Sequence, residues 1–127
     1  MRKAQQTRSL VAAWFDFLVP TEQPVALELH RLLRAALPEL GEAVRQGNLL
    51  LSLNGEPLLA IAPVTGQVEL LIFNGAEIEA EFGPLEGVGR RQRLLRCASG
   101  EPVDAALVTR IALASAAACR RQQAFGG

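Results

Sequence analysis

The chain has 127 residues, half of them hydrophobic, and thirteen basic side chains balance thirteen acidic ones. That length suits one domain with a buried core, and zero net charge lacks the field that a general nucleic-acid or membrane-surface binder carries. No stretch approaches the ~20 apolar residues that span a bilayer, so neither a membrane nor a nucleic-acid partner is expected.

In chain order, Leu10, Val11, Trp14, Phe17 and Leu18 recur with helical period and predict a short amphipathic helix over 8–19. Arg2 and Lys3 precede it, but Asp16 interrupts the apolar run and no small-residue cleavage site follows, so a secretory signal is not expected. Pro20 ends this helix and Pro24 suits the start of the next. There Val25, Leu29, Leu32, Leu33 and Ala36 form one stripe, with His30 on its flank in a structural role. Pro38 breaks or restarts the helix, and a last helical turn is predicted to run to Gln46 before Gly47.

The period then changes. Two apolar runs flank Asn54-Gly55, the strongest hairpin signal in the chain. Thr65-Gly66 marks the next turn, residues 67–73 read as a third strand and residues 91–98 as a fourth. The glutamate segment after Phe73 extends the third strand or bulges from it. Short turns between successive strands imply an antiparallel meander.

Residues 101–123 form the closing helix, with Ser99 as its start residue and Pro102 in its first turn. On a helical wheel, Val103, Leu107, Ile111, Ala114 and Ala118 fall on one side, and Ala105, Val108, Ala112, Ala116 and Cys119 nearly opposite. One side is expected to pack on the sheet. The other, made of small residues, suits a neighbouring helix, from the N-terminus or from a second subunit as a homodimer. The fold class is thus α+β: one two-layer domain over residues 1–127. An antiparallel sheet of four to five strands packs against N-terminal helices and a long C-terminal helix. Cys97 and Cys119 form no paired or zinc spacing, which fits free thiols in a reducing, cytoplasmic setting.

The residues that carry chemistry cluster between 77 and 93. If the segment is extended, Glu77, Glu79 and Glu81 share one face, and carboxylates alone suit hard cations such as iron(II), manganese, magnesium or calcium. The alternative is a solvated strand face that discourages edge pairing. Gly87 and Gly89 followed by Arg90, Arg91 and Arg93 suit an anion-binding turn, with converging backbone N–H groups and guanidinium forks. The alternative is that Glu86 pairs with Arg90 or Arg93 and holds the loop. Arg93 shares strand parity with Leu95 and Cys97, so it sits at the end of a core-facing row and must find a carboxylate, carbonyls or a ligand. Ser9, Ser52, Ser99 and Ser115 lack a nucleophile-elbow context. No catalytic residue is assigned.

Certain phrases carry a family resemblance: Ala36-Leu37-Pro38-Glu39, Phe73-Asn74-Gly75-Ala76, Leu85-Glu86-Gly87-Val88-Gly89-Arg90, then Arg93 and Ser99. Over residues 32–117 the chain resembles the YdhG-like domains, a bacterial family of largely unknown function. It departs from that pattern at Gln46-Gly47-Asn48-Leu49 and at Ala80-Glu81-Phe82. The resemblance implies a small two-layer α+β unit grouped with secretion-chaperone-like folds. Some members are labelled iron chaperones, frataxin-like in role. Three functions are therefore open: a self-associating binding or adaptor domain with no cofactor, an iron carrier using Glu77, Glu79 and Glu81, or a binder of a small anionic ligand through Gly87, Gly89, Arg90, Arg93 and Glu86.

Overall fold

The structure, a computed structural model, describes residues 2–125. The outermost positions of the expected 1–127 domain, 1, 126 and 127, lie outside the described residues. Two helices open the chain, α1 (Arg2–Phe17) and α2 (Gln23–Ala36). Four strands follow: β1 (Gly41–Arg45), β2 (Asn48–Leu53), β3 (Glu56–Val64) and β4 (Gln67–Ile72). A short helix α3 (Gly75–Ile78) runs into a 3₁₀ turn (Glu79–Glu81), then come β5 (Arg93–Ala98) and α4 (Ala105–Phe125). The five strands form one antiparallel sheet in the order of the chain, so the expected α+β meander is present.

Tight two-residue turns set the first two hairpins. Asn54 and Gly55 have φ of 51° and 82°, the positive values that a type I′ connection needs. Gln46 and Gly47 repeat the device with φ of 53° and 80°, joining Arg45 to its partner Asn48. This corrects the helical turn expected up to Gln46. Pro38 stops α2, and residues 41–45 then gain a ladder of strand bonds to β2 that an isolated helical turn could not match. The glutamate segment is the second correction: it is helical over Gly75–Ile78 and 3₁₀ over Glu79–Glu81, not an extension of β4.

Strand alternation divides the sheet. Leu49, Leu51 and Leu53 of β2, Leu59 and Ile61 of β3, Val68, Leu70 and Ile72 of β4 and Leu95 of β5 are all buried. Against them pack Val25, Ala26, Leu29 and Leu33 of α2 and Val108, Ile111, Ala112 and Ala116 of α4. Truncating one fully buried leucine of this layer, such as Leu29, costs about 2–5 kcal/mol on general grounds. Trp14 of α1 belongs to the same core and donates its indole N–H to the Gly47 carbonyl at 2.9 Å. His30 is partly buried, with Nε2 at 3.0 and 3.1 Å from the two oxygens of Glu42.

The closing helix also differs in detail. It starts at Ala105 rather than 101, and the cap is Asp104, whose carboxylate accepts the Leu107 backbone N–H at 3.1 Å. Pro102 and Ser99 lie before it; the Ser99 N–H donates to the Gly66 carbonyl. The two wheel faces read from sequence turn out to be the edges of one arc. Ile111 and Ala118 lie at one edge, Ala112 and Ala116 at the other, and buried Ser115, Val108 and Cys119 bridge them. Elements of the same chain, α2, α3 and β3, cover that arc. Among the described residues, no helix is long and apolar enough to cross a membrane.

Candidate functional site

The 77–93 region folds into a closed corner and an open cleft. The corner is built on Gly75. A Cβ there would lie 2.5 Å from the Cβ of Arg93, 2.9 Å from its Cγ and 2.9 Å from its backbone nitrogen, so only glycine lets α3 sit down on the start of β5. The Ala76 N–H donates to the Arg91 carbonyl at 2.8 Å and pins the two segments together.

Beneath this contact the Arg93 side chain is buried, as its strand parity requires. Its Nε donates to Glu79 Oε2 at 2.6 Å, Nη2 to Glu79 Oε1 at 3.1 Å, and Nη1 to the Gln92 carbonyl at 2.8 Å. The fork is bidentate, the strongest form of this pair. Hydrogen bonds from Arg93 hold the Glu79 carboxyl below the usual glutamate range, and those to Glu79 raise Arg93 above its ordinary value. The carboxylate that Arg93 needs is therefore Glu79, not Glu86.

Glu86 has another partner for a geometric reason. Its backbone exchanges both hydrogen bonds with Leu94, at 2.8 and 2.9 Å, which puts its side chain on the same sheet face as Leu94 and Arg96. Its carboxylate accepts from Arg96 Nε at 2.9 Å, and Glu69 stands 3.6 Å from Arg96 Nη1. The rest of the glycine loop is open. Val88 and Arg90 are exposed, and nothing lies within 4 Å of where a Cβ on Gly89 would be. Gly87 packs its Cα side near Arg93, whose Cδ would be 3.6 Å from an added Cβ.

The three glutamates do not share a face. Glu79 is engaged by Arg93, Glu77 accepts from Gln122 Nε2 at 2.6 Å, and Glu81 is exposed. Among the described residues, no group of three or more His, Cys, Asp or Glu side chains comes together as a metal site would require.

The cleft lies on the other side of Asn74 and has a volume of about 880 Å³. Four segments frame it. The Asn54 hairpin leads into Glu56, Pro57 and Leu58 at the start of β3, while the end of β4 contributes Phe73 and Asn74. Arg91 and Gln92 come from the approach to β5, and Cys119, Gln122 and Gln123 from the end of α4. Part of this wall is tied to the fold: Asn54 Nδ2 donates to Gln123 Oε1 at 3.3 Å and Gln123 Nε2 to the Leu53 carbonyl at 3.2 Å. Asn74 is buried, and its Nδ2 donates to the Ser115 carbonyl at 3.0 Å, while its Oδ1 has no donor. A buried acceptor left unpaired is unusual and calls for a donor from water or a ligand. The carboxylate of Glu56 and the guanidinium of Arg91 have no hydrogen-bond or ion-pair partner among the described residues, although both line the same cleft. Burial raises the Cys119 thiol above its ordinary range, with the charge of Glu56 adding to the shift and Arg120 opposing it.

Of the arginines expected in an anion-binding turn, Arg91 lines this cleft and Arg90 and Arg93 flank it in sequence, while Asn74, Glu56 and Gln92 carry no signal of a site in the sequence. The available signal was the coincidence of two family phrases, since Phe73-Asn74 and the arginine run meet through the Ala76–Arg91 bond.

No family model matches this chain, and no curated protein does. Among solved structures, the crystal structure of a DUF1801-family protein, YdhG from Bacillus subtilis, is similar, with a TM-score of 0.63 and 12% sequence identity. The match covers 80% of this chain and 84% of that one. At that identity the likeness is one of fold, and it agrees with the YdhG-like resemblance read from the residues.

Proposed function

We propose that this chain is a small-ligand-binding domain and that the cleft beside Asn74 is its site. The observation that carries this reading is a cleft of about 880 Å³ in which Arg91 and Glu56 both stand without partners. Its size lies in the general range of small-molecule sites, roughly 300–1,000 Å³. Charges with no structural partner are free to recognise something else, whereas the charges of the Arg93 corner are satisfied within the fold. Of the arginines expected to bind an anion, Arg91 is the one that lines this cleft. Among the described residues, no nucleophile activated by a base lines the cleft. Its one thiol, Cys119, is pushed toward the protonated form, so the cleft is suited to binding rather than to covalent chemistry.

The test is a thermal-shift screen of chemically diverse small molecules on the wild-type protein and on Gln92→Trp. Gln92 is exposed at the cleft wall, so tryptophan there blocks the opening without entering the core. A ligand at ~100 times its Kd stabilises by about 2.7 kcal/mol. Hits that vanish in Gln92→Trp support the reading. An empty screen, or hits that persist in the blocked variant, removes it.

A further inference from the structure

We infer that the ligand of this cleft is dipolar, with an anionic group held by Arg91 and a cationic N–H group held by Glu56, and that a short peptide with free ends is the class that fits. This rests on the cleft being the binding site, and it adds the ligand's chemistry.

The first argument is charge. A cleft lined by one unpaired guanidinium and one unpaired carboxylate has no net charge of its own. A polyanion such as a nucleotide would gain from Arg91 and lose to Glu56. A molecule with one charge of each sign gains from both, and the guanidinium can grip a carboxylate through two parallel N–H bonds.

The second argument is spacing. Glu56 begins β3 and Arg91 lies two residues before β5, at the same end of the sheet, since Leu59 pairs with Ile72 and Ile72 with Arg93. Strands β3 and β5 are separated by β4 alone, so they stand two strand spacings apart, about 9–10 Å. An extended tripeptide is about 10 Å long, at ~3.3–3.6 Å per residue.

The third argument is the wall between the charges. The side chain of Gln92 has no partner among the described residues, and Asn74 keeps a carbonyl oxygen without a donor. A carboxamide offers a donor and an acceptor side by side, which matches the N–H and C=O of a peptide bond. The aromatic ring of Phe73 adds an apolar contact on the same wall.

The test is an NMR titration of the ¹⁵N-labelled full chain with trialanine, N-acetyl-trialanine, trialanine amide and adenosine monophosphate. Trialanine is expected to shift the amides of Asn74, Gln92 and Gln122. Each cap is expected to weaken binding by roughly tenfold, the range for one lost charge-assisted contact. Arg91→Ala should abolish the penalty of amidation and Glu56→Gln that of acetylation. Binding of adenosine monophosphate with equal affinity, or equal binding of capped and free peptides, overturns the dipolar inference while leaving the cleft as a site. No perturbation of the cleft amides by any peptide overturns it as well, and the screen with Gln92→Trp then decides separately whether the cleft binds anything.

Discussion

At the corner Arg93 and Glu79 satisfy each other, and at the cleft a few ångströms along the chain Arg91 and Glu56 have no partner among the described residues. The two regions draw on the same arginine run, and Arg91 and Arg93 are only two residues apart. What separates them is what the chain brings opposite each. Gly75 lets α3 close over Arg93 and deliver Glu79 to it, so that arginine is buried and bidentate. Opposite Arg91 the chain turns away into the cleft, and the nearest framing elements supply amides and a carboxylate from β3. In the Asn74-Gly75 step the glycine serves the closed corner and the asparagine lines the cleft.

Substitutions that break the corner should cost stability, and those in the cleft should not. The largest effect is expected from Gly75→Ala. The added methyl would meet Arg93 at 2.5 Å, and relieving that clash should cost about 3 kcal/mol, the upper part of the usual overpacking range. A urea titration checks this through a lower midpoint at unchanged slope. Arg93→Met comes next, with a smaller drop, because methionine fills the space but leaves Glu79 and the Gln92 carbonyl without their donor.

The same pair predicts a pH signature. The folded Glu79 carboxyl sits below its ordinary value of 4.5, so its contribution is fully present above pH 4.5 and is lost as pH falls through the depressed folded value. Arg93, raised above its ordinary value, stays charged throughout. Glu79→Gln should therefore be less stable than wild type at neutral pH and converge toward it in acid. A constant difference from pH 7 to pH 3 would contradict the pairing.

Asn74→Ala lies on the boundary between the two regions. It removes one buried hydrogen bond to the Ser115 carbonyl, worth about 1 kcal/mol, and deletes the unpaired oxygen at the same time. A loss near that value in chemical denaturation, together with weaker ligand binding, would place it in both. The smallest effect on stability is expected from Arg91→Ala, within about 0.5 kcal/mol of wild type, as for other surface substitutions without a partner.

The sequence makes some of this legible and hides the rest for physical reasons. Asn54-Gly55 and Thr65-Gly66 announce their turns because local backbone chemistry decides them, and the strands between follow. β1 was hidden because glutamine rarely advertises the positive φ that Gln46 adopts. The alternating glutamates imitate a strand, yet Gly75 and the docking onto Arg93 make that stretch helical, a choice settled by contacts 18 residues apart. Strand parity was enough to place Arg93 facing inward. It could not say that Glu79 rather than Glu86 would meet it, because that depends on a helix the local pattern did not reveal. The cleft was invisible because its walls come from four separated segments and exist only once the chain has closed.

The most direct measurement of the division between corner and cleft pairs Arg93→Met with Arg91→Ala, recording for each a urea midpoint and the trialanine-induced shifts of the cleft amides. The division predicts a lowered midpoint for Arg93→Met alone, and an unchanged midpoint with lost peptide response for Arg91→Ala. A destabilised Arg91→Ala, or one that binds trialanine as the wild type does, would contradict it.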